Sequence, residues 1–180
     1  MDNLTAECHL YDLKGNRLSN KKFQVSVASN TTLIAGKPDL SKKPAGFYFM
    51  RMLLKDGDGK TIDENLYWLT RQPDDFRELD SLKPADLQLK MEEDESGKRF
   101  LQIQNAGSET AFFTRLKVVD KTTGQLVLPV FLEDNYLTFF PGEEKRVGVD
   151  LSHLPSSVKP ANLVLQAEAW NSEIRQISLN

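Results

Sequence analysis

The stretch Phe47-Tyr48-Phe49-Met50-Arg51-Met52-Leu53-Leu54, the turn Asp56-Gly57-Asp58-Gly59 and the stretch Ile62-Asp63-Glu64-Asn65-Leu66-Tyr67-Trp68-Leu69 follow one another almost without a gap. Both flanks are rich in aromatic and branched side chains, and the turn carries glycines that can adopt the positive backbone angles a tight reversal needs. The three pieces read as a β-hairpin. The same grammar continues toward the N-terminus. Leu4-Thr5-Ala6-Glu7-Cys8-His9-Leu10-Tyr11-Asp12 reads as a strand, Leu13-Lys14-Gly15-Asn16 as a turn and Phe23-Gln24-Val25-Ser26-Val27 as the next strand.

Beyond Pro84 the pattern resumes. Leu87 to Met91 and Arg99 to Gln104 flank an acidic turn ending in Ser96-Gly97, and Phe112 to Val119 runs into the turn Lys121-Thr122-Thr123-Gly124. Val127 to Phe131, then Val147 to Leu151 after Pro141-Gly142, read as further strands. Leu163 to Trp170 and Ile174 to Leu179 form a last hairpin. No segment sustains a helical period over ten residues. Between the two strand-rich regions lies Gln72 to Pro84, where Asp74 or Asp75 is expected to cap one short helical turn and Phe76, Leu79 and Leu82 to pack it down. The predicted organisation is all-β: a sandwich in residues 1–71, a linker in 72–84 and a sandwich in 85–180.

A weak repeat links the halves. Leu10-Tyr11-Asp12-Leu13-Lys14-Gly15-Asn16-Arg17-Leu18 parallels Val118-Val119-Asp120-Lys121-Thr122-Thr123-Gly124-Gln125-Leu126, with one residue inserted. Two strands precede that point in the second half and almost nothing precedes it in the first. The first domain is therefore expected to lack its opening strand or strands. Its sheet would then keep an open edge that a second chain could cover, a route to self-association.

Composition narrows the function classes. With 39% apolar and 27% charged residues the 180-residue chain is of ordinary globular type, and its net charge of -3 gives no basic field for a nucleic-acid backbone. No apolar run is long enough to span a bilayer, and residues 1 to 10 lack a signal-peptide pattern. The abrupt opening into a strand suggests a piece of a longer protein. Cys8 is the one cysteine, so neither an internal disulfide nor a multi-thiolate zinc site is expected. Cys8 reads as a small apolar strand residue, and the adjacent His9 points to the opposite face.

Each chemically suggestive motif has a plainer reading. Asp63-Glu64, Glu133-Asp134 and Glu143-Glu144 are sequence neighbours, which point to opposite faces of a strand and make no catalytic pair. Asp134 and Asn135 are read as loop-fixing residues bonded to their own backbone. Asp56-Gly57-Asp58-Gly59-Lys60 departs from a calcium loop, with Lys60 where a third oxygen ligand belongs. Tyr67, Trp68, Tyr136 and Trp170 could together form a sugar-stacking platform. Trp68, flanked by leucines, is assigned instead to the core. Tyr136 and Phe139-Phe140 are expected to pack a loop against a sister domain. No catalytic, cofactor-binding or metal-binding residue is assigned.

Phe131-Leu132-Glu133-Asp134-Asn135-Tyr136-Leu137-Thr138-Phe139-Phe140-Pro141-Gly142-Glu143 resembles the DNY…PGE signature in the last immunoglobulin-like domain of glycoside hydrolase family 2 enzymes, in the β-mannosidase and exo-β-glucosaminidase subgroup. Val127-Leu128-Pro129-Val130 looks like the VLPV that leads into it. Asn65-Leu66-Tyr67-Trp68-Leu69-Thr70 is similar to the N-x-YWL strand of the preceding domain, Asp75-Phe76-Arg77-Glu78-Leu79-Asp80-Ser81-Leu82 to the linker, and Ala169-Trp170-Asn171 to a final x-W-N turn. The resemblance implies two immunoglobulin-like sandwiches following a catalytic barrel, and a secreted or periplasmic enzyme. Tyr67, Trp68, Asp134, Asn135, Tyr136, Pro141, Gly142, Glu143 and Trp170 would be signature residues of structural role, with Tyr136 and Trp170 at the substrate rim or a domain contact. The family's two barrel glutamates map to no position here. The expected function is a non-catalytic scaffold partnered with the barrel. A carbohydrate-binding module is the alternative, and a free-standing hydrolase the third reading.

Overall fold

Alternating side chains make each strand two-faced, and two-faced strands must bury one side. The computed structural model, which describes residues 3–73 and 75–179, resolves the chain into two compact units, Met1–Leu82 and Lys83–Asn180. Both are built from antiparallel strands. Among the described residues no helix is long and apolar enough to cross a membrane.

The first unit is one four-stranded sheet. Strands β1 (Leu4–Tyr11), β2 (Arg17–Val25), β3 (Phe47–Lys55) and β4 (Thr61–Thr70) lie in the order β2-β1-β3-β4. Pairings of Cys8 with Met52, Leu10 with Met50, and Met50 with Tyr67 put the apolar row of β1 on one face. The opposite face carries Glu7, His9 and Tyr11, with Lys22 opposite Glu7 and Arg51 opposite His9. At its far end Phe47 and Phe49 stack edge to face, 5.1 Å apart, and Phe76 approaches Phe47. Phe76 leads into a 3-10 turn at Arg77–Ser81, which buries Leu79 and directs Glu78 Oε2 to accept from the Phe47 N–H at 2.6 Å.

The second unit is a two-layer sandwich. Strands β5 (Leu87–Glu93), β6 (Arg99–Asn105), β8 (Phe131–Leu132) and β10 (Glu144–Asp150) form one sheet in the order β5-β6-β10-β8. Strands β7 (Ala111–Asp120), β9 (Leu137–Phe139), β11 (Leu163–Glu168) and β12 (Arg175–Ser178) form the other, ordered β12-β11-β7-β9. Leu101, Ile103, Phe139, Leu163 and Leu165 lie fully buried between the layers. Each such side chain contributes about 1.5–3 kcal/mol relative to exposure.

Four turns share one device. Asp12, Asp56, Asp94 and Asp120 each accept backbone N–H groups two to four residues on, and each turn closes on a glycine N–H, from Gly15, Gly59, Gly97 and Gly124. The aspartate side chain imitates a backbone turn, and the glycine supplies the left-handed residue that returns the strand in register. At Gly59, φ is 81° with open space where a side chain would sit, so the demand for glycine there is conformational alone.

The repeat read from the sequence aligns Leu10 with Val118, and the sheet order β2-β1-β3-β4 matches β9-β7-β11-β12. Register then equates Met50 with Leu165 and Met52 with Ala167. Ala167 is fully buried beneath the second layer, whereas Met52 is 45% exposed. Among the described residues the segment between β2 and β3 forms no strand, so the first sheet has no strand layer over this face.

Four expectations are corrected. Trp68 is 42% exposed, not core, because β4 is an edge strand of a single sheet. Val127 to Phe131 is not a strand. Leu126 makes one isolated bridge to Val119, Pro129 has no N–H to pair, and only Phe131–Leu132 joins a sheet. Phe139 packs into the second unit's own core from a strand the sequence did not suggest. Finally, Phe76 and not Asp75 occupies the cap position of the 3-10 turn; from one residue further out Asp75 accepts the Arg77 N–H at 3.4 Å and grips the Arg77 guanidinium at 2.7 and 2.8 Å. The Asp74 alternative lies outside the described residues.

Two polar groups anchor the units. Asn105, fully buried, donates through Nδ2 to the carbonyls of Glu109 and Phe139 and accepts from the Gly107 N–H through Oδ1. In the first unit Glu7 is buried and accepts from Lys22 at 2.7 Å, Lys55 at 3.3 Å and His9 Nε2 at 2.9 Å, while His9 Nδ1 meets the Tyr11 hydroxyl. The Lys22 ammonium above all, aided by Lys55 and His9, holds the Glu7 carboxyl at a pKa of about 2; burial pushes His9 down.

Asn105→Ala should destabilise the second unit by about 2–4 kcal/mol, read as a shifted denaturation midpoint, because buried backbone groups lose their partners. A shift within experimental error would remove Asn105 from this role. For Glu7 the folded pKa lies below the ordinary value of 4.5, so its contribution is intact above that pH and lost as pH falls toward 2. His9, held neutral by burial, acts in the same direction below its ordinary value of 6.5. Acid titration should therefore weaken the first unit, and Glu7→Gln should flatten the dependence below pH 4.5. An unchanged acid limb in that variant would assign the loss to other groups.

Candidate functional site

A sheet edge turns into a site where its regular ladder is broken, and β7 breaks opposite β9. Ala111 pairs with Phe139 and Thr114 with Leu137, so Phe112 and Phe113 together face Thr138. This is a β-bulge, which re-aims a side chain that a regular strand would commit to one face. Phe112 stays buried. Phe113 takes φ 53°, and its N–H donates to Thr138 Oγ1 at 3.3 Å.

The loop before β9 carries the matching distortion. Asn135 accepts the Leu116 N–H at 2.7 Å and donates to the Leu116 carbonyl at 3.0 Å, so its amide replaces one rung of the ladder with β7. Its Oδ1 also accepts from the Tyr136 N–H at 2.8 Å, and Asp134 Oδ1 accepts from the Asn135 N–H. Asn135 thus fixes a neighbouring strand as well as its own loop. Tyr136 follows at φ 56°. A non-glycine residue in the left-handed region is costly, and two aromatics held there side by side mark a backbone shaped by its surroundings. Their rings pack with centroids 4.9 Å apart, tilted by 34°.

The other wall comes from β11 and its exit. Register places Glu168 opposite Arg115, and Arg115 Nη2 donates to Glu168 Oε2 at 2.7 Å, with Lys117 Nζ 3.6 Å from the same oxygen. The Arg115 guanidinium first, then Lys117, keeps the Glu168 carboxyl below the usual range, so it is ionised at neutral pH. Trp170 leaves the strand with its backbone N–H donating to the Phe112 carbonyl, and the residue is 64% exposed. Asn171 pins this exit by accepting from the Phe112 N–H and donating to the carbonyls of Thr110 and Lys83. Phe113, Arg115, Tyr136, Glu168, Ala169 and Trp170 enclose an open hollow of about 350 Å³.

Of the residues singled out from sequence, Tyr136 and Trp170 meet at this hollow. Tyr67 and Trp68 lie on β4 of the first unit and are both exposed. Pro141, Gly142 and Glu143 form the turn into β10, with Gly142 at φ 78° and the Glu143 carboxylate accepting from the Phe140 N–H at 2.9 Å. Phe113, Arg115 and Glu168 escaped sequence reading because bulges and cross-strand pairs depend on register. Among the described residues no cluster of three or more His, Cys, Asp or Glu side chains could hold a metal ion.

Comparison with known proteins gives this arrangement its relatives. Residues 65–172 match the family described as the exo-beta-D-glucosaminidase Ig-fold domain. An exo-beta-D-glucosaminidase of Arthroderma benhamiae is 32% identical over 163 residues, covering 78% of this chain and 18% of that protein. One from Hypocrea jecorina is 27% identical over 168 residues, with the same two coverages. The chain thus spans under a fifth of these relatives' length. The crystal structure of the Amycolatopsis orientalis exo-chitosanase CsxA shares the fold with a TM-score of 0.72 at 22% identity, over 99% of this chain and 24% of that one. The match extends over most of the chain and takes in the bulge, the hollow and the turns that shape them, so the chain belongs to the exo-beta-D-glucosaminidase Ig-fold domain family.

Proposed function

We propose that the chain is a non-catalytic accessory part of a longer glycoside hydrolase that removes β-glucosaminide units, and that it serves by packing against the rest of that enzyme. The relatives are exo-beta-D-glucosaminidases, which favours that substrate over a β-mannoside. CsxA is called an exo-chitosanase. A polymeric substrate of that kind favours a secreted or periplasmic enzyme.

One observation carries the packing role. Leu126, Leu128 and Phe131 are 58%, 65% and 57% exposed, while the intervening Val127 and Val130 pack onto the core. Three outward apolar side chains within six residues form a patch of the kind that marks a protein contact. The most prominent polar side chains are meanwhile occupied with backbone: Asn105, Asn135, Glu143 and Asn171 all hold loops. In this reading the open part of that face of the first sheet, around Met52 and Tyr67, is completed by further strands of the same enzyme, and the catalytic barrel is the principal partner.

The purified chain should give no turnover of an aryl β-D-glucosaminide above buffer; turnover that follows the chain through purification would sink the reading. Within the whole enzyme, Leu128→Asp with Phe131→Asp should weaken packing by about 2 kcal/mol or more. The expected readout is a lower Tm for the enzyme with no change in the stability of the isolated chain. An unaffected enzyme would mean that the patch docks nothing.

A further inference from the structure

We propose that the hollow beside β7 and β11 is a glycan-binding site, which seats a pyranose ring on Trp170 and Tyr136 and takes its hydroxyls on the Arg115–Glu168 pair. A pyranose has an apolar face of C–H groups and a rim of hydroxyls. The hollow offers the complement of both. Its two most exposed side chains are Trp170 and Tyr136, and such rings supply broad apolar contact with little conformational freedom to lose. Its volume of about 350 Å³ falls within the range of small-molecule clefts.

The polar part of the lining is equally suited. Arg115 and Glu168 engage each other through one guanidinium nitrogen and one carboxylate oxygen. The remaining guanidinium N–H groups and Glu168 Oε1 have no hydrogen-bond partner among the described residues, so donors and an acceptor stand side by side at the hollow. That is the arrangement two neighbouring hydroxyls require. The site is also pre-formed. The bulge at Phe113, the Phe113–Tyr136 ring contact and the Asn135 bridge fix the Tyr136 ring before any ligand arrives, which lowers the ordering cost of binding. Glu168 is the one carboxylate in the lining, and glycoside cleavage by the usual route needs two. The site therefore holds sugar without cutting it.

The geometry specifies a pyranoside; the choice of hexosamine chains as its source rests on the accessory-domain reading. The test uses the whole chain carrying Trp68→Phe, which leaves Trp170 as the sole tryptophan. Its emission is followed while short chitosan, chitin or β-mannan oligosaccharides are added. A saturable change at millimolar or tighter concentration is expected with at least one of them. Tyr136→Ala and Arg115→Ala should each weaken it about tenfold. In the Trp68-containing chain, Trp170→Ala should abolish retention on the corresponding polysaccharide gel while the circular dichroism spectrum stays unchanged. No saturable change with any of the three, or retention that survives Trp170→Ala and Arg115→Ala, overturns the proposal. Loss of enzyme assembly in Trp170→Ala without any glycan effect would also overturn it, making the hollow a protein contact. Sugar turnover by the chain would instead refute the accessory role and leave the binding site standing.

Discussion

Backbone groups that leave a β-ladder inside a sandwich must find other partners, and in the second unit asparagine side chains supply them. Asn105 takes the carbonyls of Glu109 and Phe139 at the end of β6. Asn135 takes both the N–H and the carbonyl of Leu116, as a paired strand residue would. Asn171 ties the end of β11 to Thr110, Phe112 and Lys83. A primary amide carries donors and an acceptor on one planar group, so it can imitate a peptide bond where no strand is available. Without these bridges the β7–β9 region would have to surrender either its bulge or its burial. The left-handed backbone at Phe113 and Tyr136 persists because the neighbours on both sides are fixed.

The two units show one sheet in two environments. In the second unit the β9-β7-β11-β12 sheet is covered and its inward side chains are nearly inaccessible. In the first unit the same strand order has no covering layer of strands among the described residues, and the equivalent face leaves Met52 and Tyr67 half open. The sheet's reverse face is organised differently, by charge. Glu7 gathers Lys22, Lys55 and His9, with two cations meeting one carboxylate oxygen. A buried carboxylate survives only with such company, since an unpaired one would cost more than the strand could repay.

What could be read from the sequence followed the range of each interaction. Strand alternation is local, and so is the aspartate–glycine turn; both were legible, because Asp12, Asp56, Asp94 and Asp120 act on residues at most four positions away. The exposure of Trp68 was not, because its leucine neighbours say nothing about whether a second layer lies above them. Strand β9 was hidden inside a signature that also contains a loop and a turn. The Val127 to Phe131 segment misled because Val127 and Val130 do reach the core, three residues apart and not in strand alternation, while only Phe131 at its end joins a sheet. Tyr136 and Trp170 drew notice as aromatics, but their meeting depends on a bulge in β7, the strand that lies between β9 and β11 in the sheet.

Leu126, Leu128, Phe131, Tyr136 and Trp170, among the exposed apolar side chains of the second unit, fall into two sets that differ in shape. Leu126, Leu128 and Phe131 project from an irregular segment with aliphatic bulk, and the His153 ring meets Phe131 edge to face at 5.3 Å. Such a run suits a complementary protein surface, where area and dryness count most. Tyr136 and Trp170 instead border a concavity that includes an ion pair. Charged groups inside a flat protein contact would have to be desolvated in full, whereas a hydroxyl-bearing ligand replaces their water bond for bond. The two sets share no residue. A substitution in one can therefore be made without touching the other, so the two surfaces are physically separable.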